Sequence, residues 1–214
     1  MAETFVLATH NPGKLKEFNK IAERLGFRVI TRDEAGVPHD FDVVEDGTTF
    51  EENSYKKAHE IMLMTGMPAM ADDSGLQVDS LDGAPGVYSA RFGGVEGDSK
   101  RNYEKLLSIM RDMKGEERRA HFTTVITVCY PDGRTVTASG QCFGHIAEEP
   151  MGEKGFGYDP VFIPDGYEET FGIMGPEVKN RISHRAKAME QLERHLEEES
   201  RNWTENTSDT TVNY

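Results

Sequence analysis

Apolar positions along the chain fall into two periods, and the change between them predicts the order of elements. Phe5-Val6-Leu7-Ala8 is a short buried strand. Leu15, Phe18, Ile21, Ala22 and Leu25 then recur at helical spacing until Gly26 ends the helix. Phe27 to Ile30 reads as a second strand. Thr48 with Glu51 forms a capping-box pattern that opens a helix through about Met64. Pro68 to Ala71 is a strand that terminates at Asp72-Asp73, with Leu76 to Val78 extended beyond. A helix over Ser99 to Met113 carries Leu106, Leu107, Met110 and Met113.

From Phe122 the period becomes two. Phe122, Thr124, Ile126, Val128 and Tyr130 alternate with Thr123, Val125, Thr127 and Cys129; Pro131-Asp132-Gly133 turns the chain; Arg134 to Ile146 returns as the partner strand. Val161-Phe162-Ile163 is a further strand. A last helix opens at Ser183 with Ile182, Met189, Leu192 and Leu196 on one side. Beyond Glu197 the acidic, Ser-, Thr- and Asn-rich sequence reads as a disordered tail, 198–214. No repeat or linker divides residues 1–197, so one α/β domain with a mixed sheet and a cleft is the simplest architecture.

Composition narrows the function. A chain of 214 residues can bury a substantial core, and no apolar run approaches the ~20 residues of a membrane span. Met1-Ala2-Glu3-Thr4 carries an acid and no basic segment, unlike a signal peptide. A net charge of −14 opposes binding to a nucleic-acid polyanion, yet a local cluster of Lys and Arg can still hold a small anion. Cys129 and Cys142 could face each other across a hairpin, although buried thiols in a reducing, cytoplasmic compartment fit better.

Several strings carry chemistry. Thr9-His10-Asn11-Pro12-Gly13-Lys14 joins a strand to a helix, so backbone N–H groups and Lys14 can face an anion; an ordinary turn with a solvated lysine is the plainer alternative. It is not a Walker A loop, because Leu15 follows Gly13-Lys14. Glu45 follows an apolar pair and can point into a cleft, while Asn53 and Lys57 share a helix face. Asp72 and Asp73 repel each other unless a cation or strong donors are near, which suits magnesium, and Asp73 can take a proton from water; an Asx-turn into Ser74-Gly75 is the structural alternative. Gly155-Phe156-Gly157-Tyr158-Asp159-Pro160 offers flexible backbone, a stacking ring and an acceptor for ring N–H groups, or simply an aromatic packing corner. Lys179, His184 and Arg185 surround a helix start capped by Ser183, where acids are more usual; a ligand would explain them, and a solvated basic turn is the alternative.

Together with Thr49-Phe50-Glu51-Glu52-Asn53 and Gly83 to Phe92, these strings resemble the inosine triphosphate pyrophosphatases, or XTP/dITP diphosphatases, from about Phe5 to Leu196. The connector Phe171 to Pro176 departs from the family pattern in being glycine-rich. The resemblance implies an elongated α/β fold with a highly twisted mixed sheet and a cleft between two lobes. It also implies a homodimer and hydrolysis of dITP, ITP or XTP to monophosphate and pyrophosphate. By position, Thr9, His10, Asn11, Pro12, Gly13 and Lys14 would bind phosphate, Glu45 and Asp73 would hold Mg2+, and Asp73 would accept a proton. Ser74 would touch substrate, and Phe156, Gly157, Tyr158, Asp159, Lys179, His184 and Arg185 would surround the base. A nucleotide sensor that does not hydrolyse its ligand, and an acidic structural domain, are the competing readings.

Overall fold

The computed structural model describes residues 4–208. Its core is one six-stranded sheet in the order β2-β1-β3-β4-β5-β6. The strands are β1 (Thr4–Leu7), β2 (Arg28–Thr31), β3 (Ala69–Val78), β4 (Arg119–Cys129), β5 (Thr135–Ile146) and β6 (Phe162–Pro164). β1 runs parallel to both neighbours and every later pairing is antiparallel, so the sheet is mixed. The β4–β5 hairpin lies where the period-two pattern puts it. In its register Cys129 faces Thr135 and Cys142 faces Phe122, so the two thiols are not opposite each other; both are free and buried.

Helices cover both faces. α1 (Pro12–Leu25) and α5 (His184–Ser208) bury Phe18, Ile21, Met189 and Leu192 against Phe5, Leu7, Met70 and Ile126. α2 (Phe50–Thr65) packs Ala58 and Ile61 on Val6, Ala69 and Ala71 from the other side. A further cluster joins α3 (Ser99–Ile109) to the far halves of β3–β5 through Leu76, Leu106, Met110, Phe122, Phe162 and Phe171. Each such large apolar side chain contributes roughly 1.5–3 kcal/mol by leaving water.

Caps set the helix limits. Gly26 ends α1 at φ 80°, a left-handed conformation that a side chain would strain. The capping box of α2 is Thr49 with Glu52, one residue beyond the expected Thr48–Glu51 pair; Glu52 also takes the N–H and hydroxyl of Thr48. α3 stops at Ile109, short of Met113, with Met110 as its C-cap; just beyond it Arg118 donates to the carbonyls of Met110 and Met113. A short helix unforeseen from sequence, α4 (Pro176–Ile182), precedes α5; Ser183 Oγ then accepts from the N–H of Ala186. α5 is helical to Ser208, across the first part of the stretch expected to be a disordered tail; residues 209–214 lie outside the described residues. No described helix is long and apolar enough to cross a membrane.

The expected placement of the paired aspartates needs correcting. Asp72 and Asp73 lie inside the ten-residue β3, not at its end. β1 accompanies β3 only at Ala69 and Met70, then leaves the sheet at Ala8, while β4 pairs with β3 throughout. The departure of β1 uncovers the edge of β3 at the two carboxylates.

Candidate active site

A cleft of about 940 Å³ opens at that uncovered edge. It is lined by Thr9 to Lys14, Glu45, Lys57, Asp73, Ser74, Phe156 to Asp159, Lys179, His184 and Arg185. Of the singled-out residues, Asp72 lies behind the wall, and so does Asn53. Its Nδ2 donates to Asp73 Oδ2 at 3.1 Å and its Oδ1 accepts from the Gly47 N–H at 2.8 Å, tying the Glu45 segment to β3.

Neighbouring strand residues point to opposite faces, so the two aspartates meet different cations. Asp72 faces Lys14 at 3.0 Å and Arg185 at 3.3 Å, and Ser74 donates to it at 3.3 Å. Burial alone would raise its carboxyl, but Lys14, Arg185 and Lys57 outweigh that cost and hold it far below the carboxylate range. Among the described residues Asp73 has only Lys57 at 3.6 Å and the Asn53 amide. Burial lifts Asp73 above its ordinary value although Lys57 and Lys14 pull against it. One carboxylate is thus locked as an anion, and its neighbour is the more basic of the two.

Lys57 Nζ also lies 2.9 Å from Glu45 Oε2, so a single ammonium sits between Glu45 and Asp73. Burial works against its charge, but Asp73 and Glu45 prevail and raise it. Two carboxylates sharing one cation, with no cluster of three or more His, Cys, Asp or Glu ligands among the described residues, form a sparse hard-oxygen donor set. It suits a metal that completes its shell with water and phosphate oxygens, and not one needing an all-protein cage.

At the turn before α1, Asn11 Oδ1 accepts from the N–H groups of Gly13 (2.9 Å) and Lys14 (3.1 Å), and Thr9 Oγ1 from that of Asn11. The Asn11 side chain therefore satisfies two of the N–H groups expected to face an anion. The exposed His10 reaches the Phe41 carbonyl at 3.3 Å. Gly13 is required by packing: a Cβ there would lie 2.6 Å from the Phe156 ring.

The other end of the cleft is aromatic and basic. Lys179 Nζ lies 4.6 Å from the Phe156 ring centre and bonds Asp159 Oδ2 at 2.6 Å. Asp159 Oδ2 also accepts from the Phe156 N–H, so internal donors already engage it. Tyr158 donates to the Ser89 carbonyl at 2.9 Å and belongs to the apolar cluster. The N–H of Gly157 donates to Ser99 Oγ. His184 stacks on Phe122 at 4.7 Å, and its Nδ1 is buried without a partner. Burial, reinforced by Arg185 and Lys179, drives its pKa well below 6.5 and keeps the ring neutral.

Arg185 is 1% exposed and bonds Glu17, Asp72 and Ser74. Glu17 is a site residue that sequence reasoning missed. Its other oxygen meets Lys179 at 2.6 Å, so this one acid of α1 braces both cations of the basic end. Its position three residues after Lys14, beside the apolar stripe of α1, was the available signal.

The arrangement suits a ligand that is anionic at one end and flat at the other, and it places the chain among the phosphate-handling α/β proteins. Sequence comparison makes the assignment specific: a model of the Ham1 family matches residues 5–195, and the chain belongs to that family. It is 46% identical over 198 residues to the dITP/XTP pyrophosphatase of Clostridium perfringens, covering 90% of this chain and 96% of that relative. The Bacillus subtilis dITP/XTP pyrophosphatase is 44% identical over 192 residues, with the same two coverages of 90% and 96%. Among solved structures, the Staphylococcus aureus Ham1 protein superposes with a TM-score of 0.80 at 39% identity, over 92% of this chain and 100% of that one.

Proposed function

We propose that the protein hydrolyses non-standard purine nucleoside triphosphates (dITP, ITP and XTP) to the monophosphate and pyrophosphate, with magnesium held by Glu45 and Asp73. The carrying observation is the pair of unlike carboxylates on β3, of which Asp73 faces a cleft with lysines at one end and an aromatic, basic wall at the other. The names of the C. perfringens and B. subtilis relatives point the same way. A homodimer in the cytoplasm is the setting that the family resemblance supports.

When bound, the metal neutralises phosphate charge and polarises the phosphoryl oxygens. Lys14 and Lys57 add positive charge along the phosphates. Asp73, oriented by Asn53, takes the proton of a water that attacks the α-phosphorus. Phe156 stacks on the purine. The neutral His184, with Nδ1 unpartnered, supplies a polar contact to the 6-oxo edge, next to the Arg185 group that Glu17 and Asp72 hold in place. An adenine presents an amino group at that edge, and a mismatch of buried hydrogen-bonding groups is rejected strongly.

Two experiments test this reading. Pyrophosphate should be released from ITP in the presence of magnesium, far more slowly from ATP, and not at all after EDTA; ITP binding without release would make the protein a sensor. Phe156→Ala should raise KM by about tenfold, the loss expected for one base–aromatic stack, with a smaller change in kcat. An unchanged KM would remove Phe156 from the base site.

A further inference from the structure

Of the buried cations in the described structure, Arg32 is the one with neither a close countercharge nor a full set of carbonyl acceptors. Lys57 has Glu45 and Asp73, Lys179 has Glu17 and Asp159, and Arg185 has Glu17 and Asp72. Arg118 is surrounded by the carbonyls of Met110, Met113, Ile146 and Ala147. Arg32 is just as enclosed, 4% exposed, yet its Nη2 donates only to the Phe41 carbonyl. Its guanidinium carbon lies 5.7 Å from the Phe41 ring centre, and its Nε has no partner. Asp42 and Asp33 act on it only from longer range. An enclosed charge short of partners is costly, and buried charges are as a rule paired. Arg32 also forms part of the cleft wall, where an anion would complete it.

Its place in the sheet says which part of a ligand it would meet. Arg32 follows the carboxyl end of β2, and the register Leu7 to Thr31 sets it beside Ala8, where β1 gives way to the Thr9–Lys14 turn. His10 reaches the same Phe41 carbonyl, which puts the guanidinium next to that turn. Strand order then sets out three stations across the sheet: Arg32 after β2, Asp73 on β3, and on β4 the Phe122 that carries His184. Adjacent strands are about 4.8 Å apart, so β2 and β3, separated by β1, are about 10 Å apart. With the base at the β4 station and the attacked phosphorus at Asp73, the outer phosphates extend toward Arg32.

We propose that Arg32 binds the β- and γ-phosphates, the half of the substrate that leaves as pyrophosphate. The inference rests on the reading of the cleft as a nucleoside triphosphate site. The planar guanidinium suits phosphate oxygens, and its unpaired Nε supplies a donor already desolvated. Arg32 thereby makes the site favour ligands with a pyrophosphate group over monophosphates.

The test is calorimetric titration of Arg32→Gln and Arg32→Lys with inorganic pyrophosphate and, separately, inosine 5′-monophosphate, both with magnesium, beside steady-state kinetics on ITP. Arg32→Gln should bind pyrophosphate about tenfold more weakly or worse, the loss expected for a charge-assisted hydrogen bond, and bind the monophosphate as the parent does. KM for ITP should rise by a similar factor with kcat little changed, and Arg32→Lys should recover part of the loss. Unchanged pyrophosphate binding overturns the proposal. So does equal weakening of both ligands, which would make Arg32 a support for the Phe41 segment. Should Arg32→Gln not fold, the ratio of pyrophosphate to monophosphate affinity in Arg32→Lys decides. Binding is read without turnover: if the parent binds neither ligand, the triphosphate reading itself has failed, whereas binding independent of Arg32 defeats only this inference.

Discussion

Asp73→Asn is expected to lower turnover by ~10² or more, the loss typical of removing a general base, with the fold intact. The substitution keeps the volume of the side chain and a partner for Asn53, whose amide meets Asp73 Oδ2 at 3.1 Å. What disappears is the proton acceptor and one of the two carboxylates flanking Lys57. Asp72→Asn should act differently, because Asp72 is held by Lys14 and Arg185 and does not line the cleft. Its loss should appear first in the melting temperature. Near-parental turnover of Asp73→Asn, measured as pyrophosphate release from ITP, would take Asp73 out of the chemistry.

Arg185→Met should be the most destabilising single change at the site, by about 3–5 kcal/mol, since it strips the charge from a buried network and leaves acids behind. Arg185 is 1% exposed, and Glu17 and Asp72 both lean on it. The pH dependence gives a second reading. For both acids burial acts upward, but the neighbouring cations win, Lys14 foremost at Asp72 and Arg185 at Glu17, so their folded-state pKa values lie below the unfolded ones. A depressed carboxylate stabilises the fold in full above its unfolded pKa of about 4, and that stability is lost as pH falls toward the native value. Urea midpoints of the parent should therefore drop steeply below about pH 4, while those of Arg185→Met start lower and fall less. Equal slopes would mean that Arg185 does not hold these carboxylates.

How far the sequence announced this arrangement depends on the physical scale of each feature. The β4–β5 hairpin was legible because eleven- and twelve-residue strands repeat one alternation around a Pro-Asp-Gly turn. α1 was legible for the same reason at helical period. α4 was not: seven residues after Gly175 carry too few apolar positions to show a period, and Pro176 in its first turn is the one local mark of its start. The cap of α2 slipped by one because Thr48 and Thr49 precede Glu51 and Glu52, so two overlapping pairs satisfy the same pattern. Which pair wins depends on the entry of the chain into the helix.

Site legibility divides along the same line. Residues clustered in short strings, such as Thr9 to Lys14 or Asp72 to Ser74, stand out because their local chemistry is unusual. Glu17 does not, since an acid three residues from a lysine on a helix looks like a solvated pair until Lys179 and Arg185 arrive from more than 160 positions away. The departure of β1 from the edge of β3 is equally invisible in sequence, being a matter of which strands pair and for how long. That departure turns two adjacent acids in mid-strand into one locked counter-ion and one base that faces the cleft.

The reaction itself is tested most directly by hydrolysing ITP with magnesium in water enriched in oxygen-18 and weighing the products. Attack on the α-phosphorus beside Asp73 predicts one heavy oxygen in inosine monophosphate and none in pyrophosphate. Label in pyrophosphate, or release of labelled orthophosphate, would contradict it.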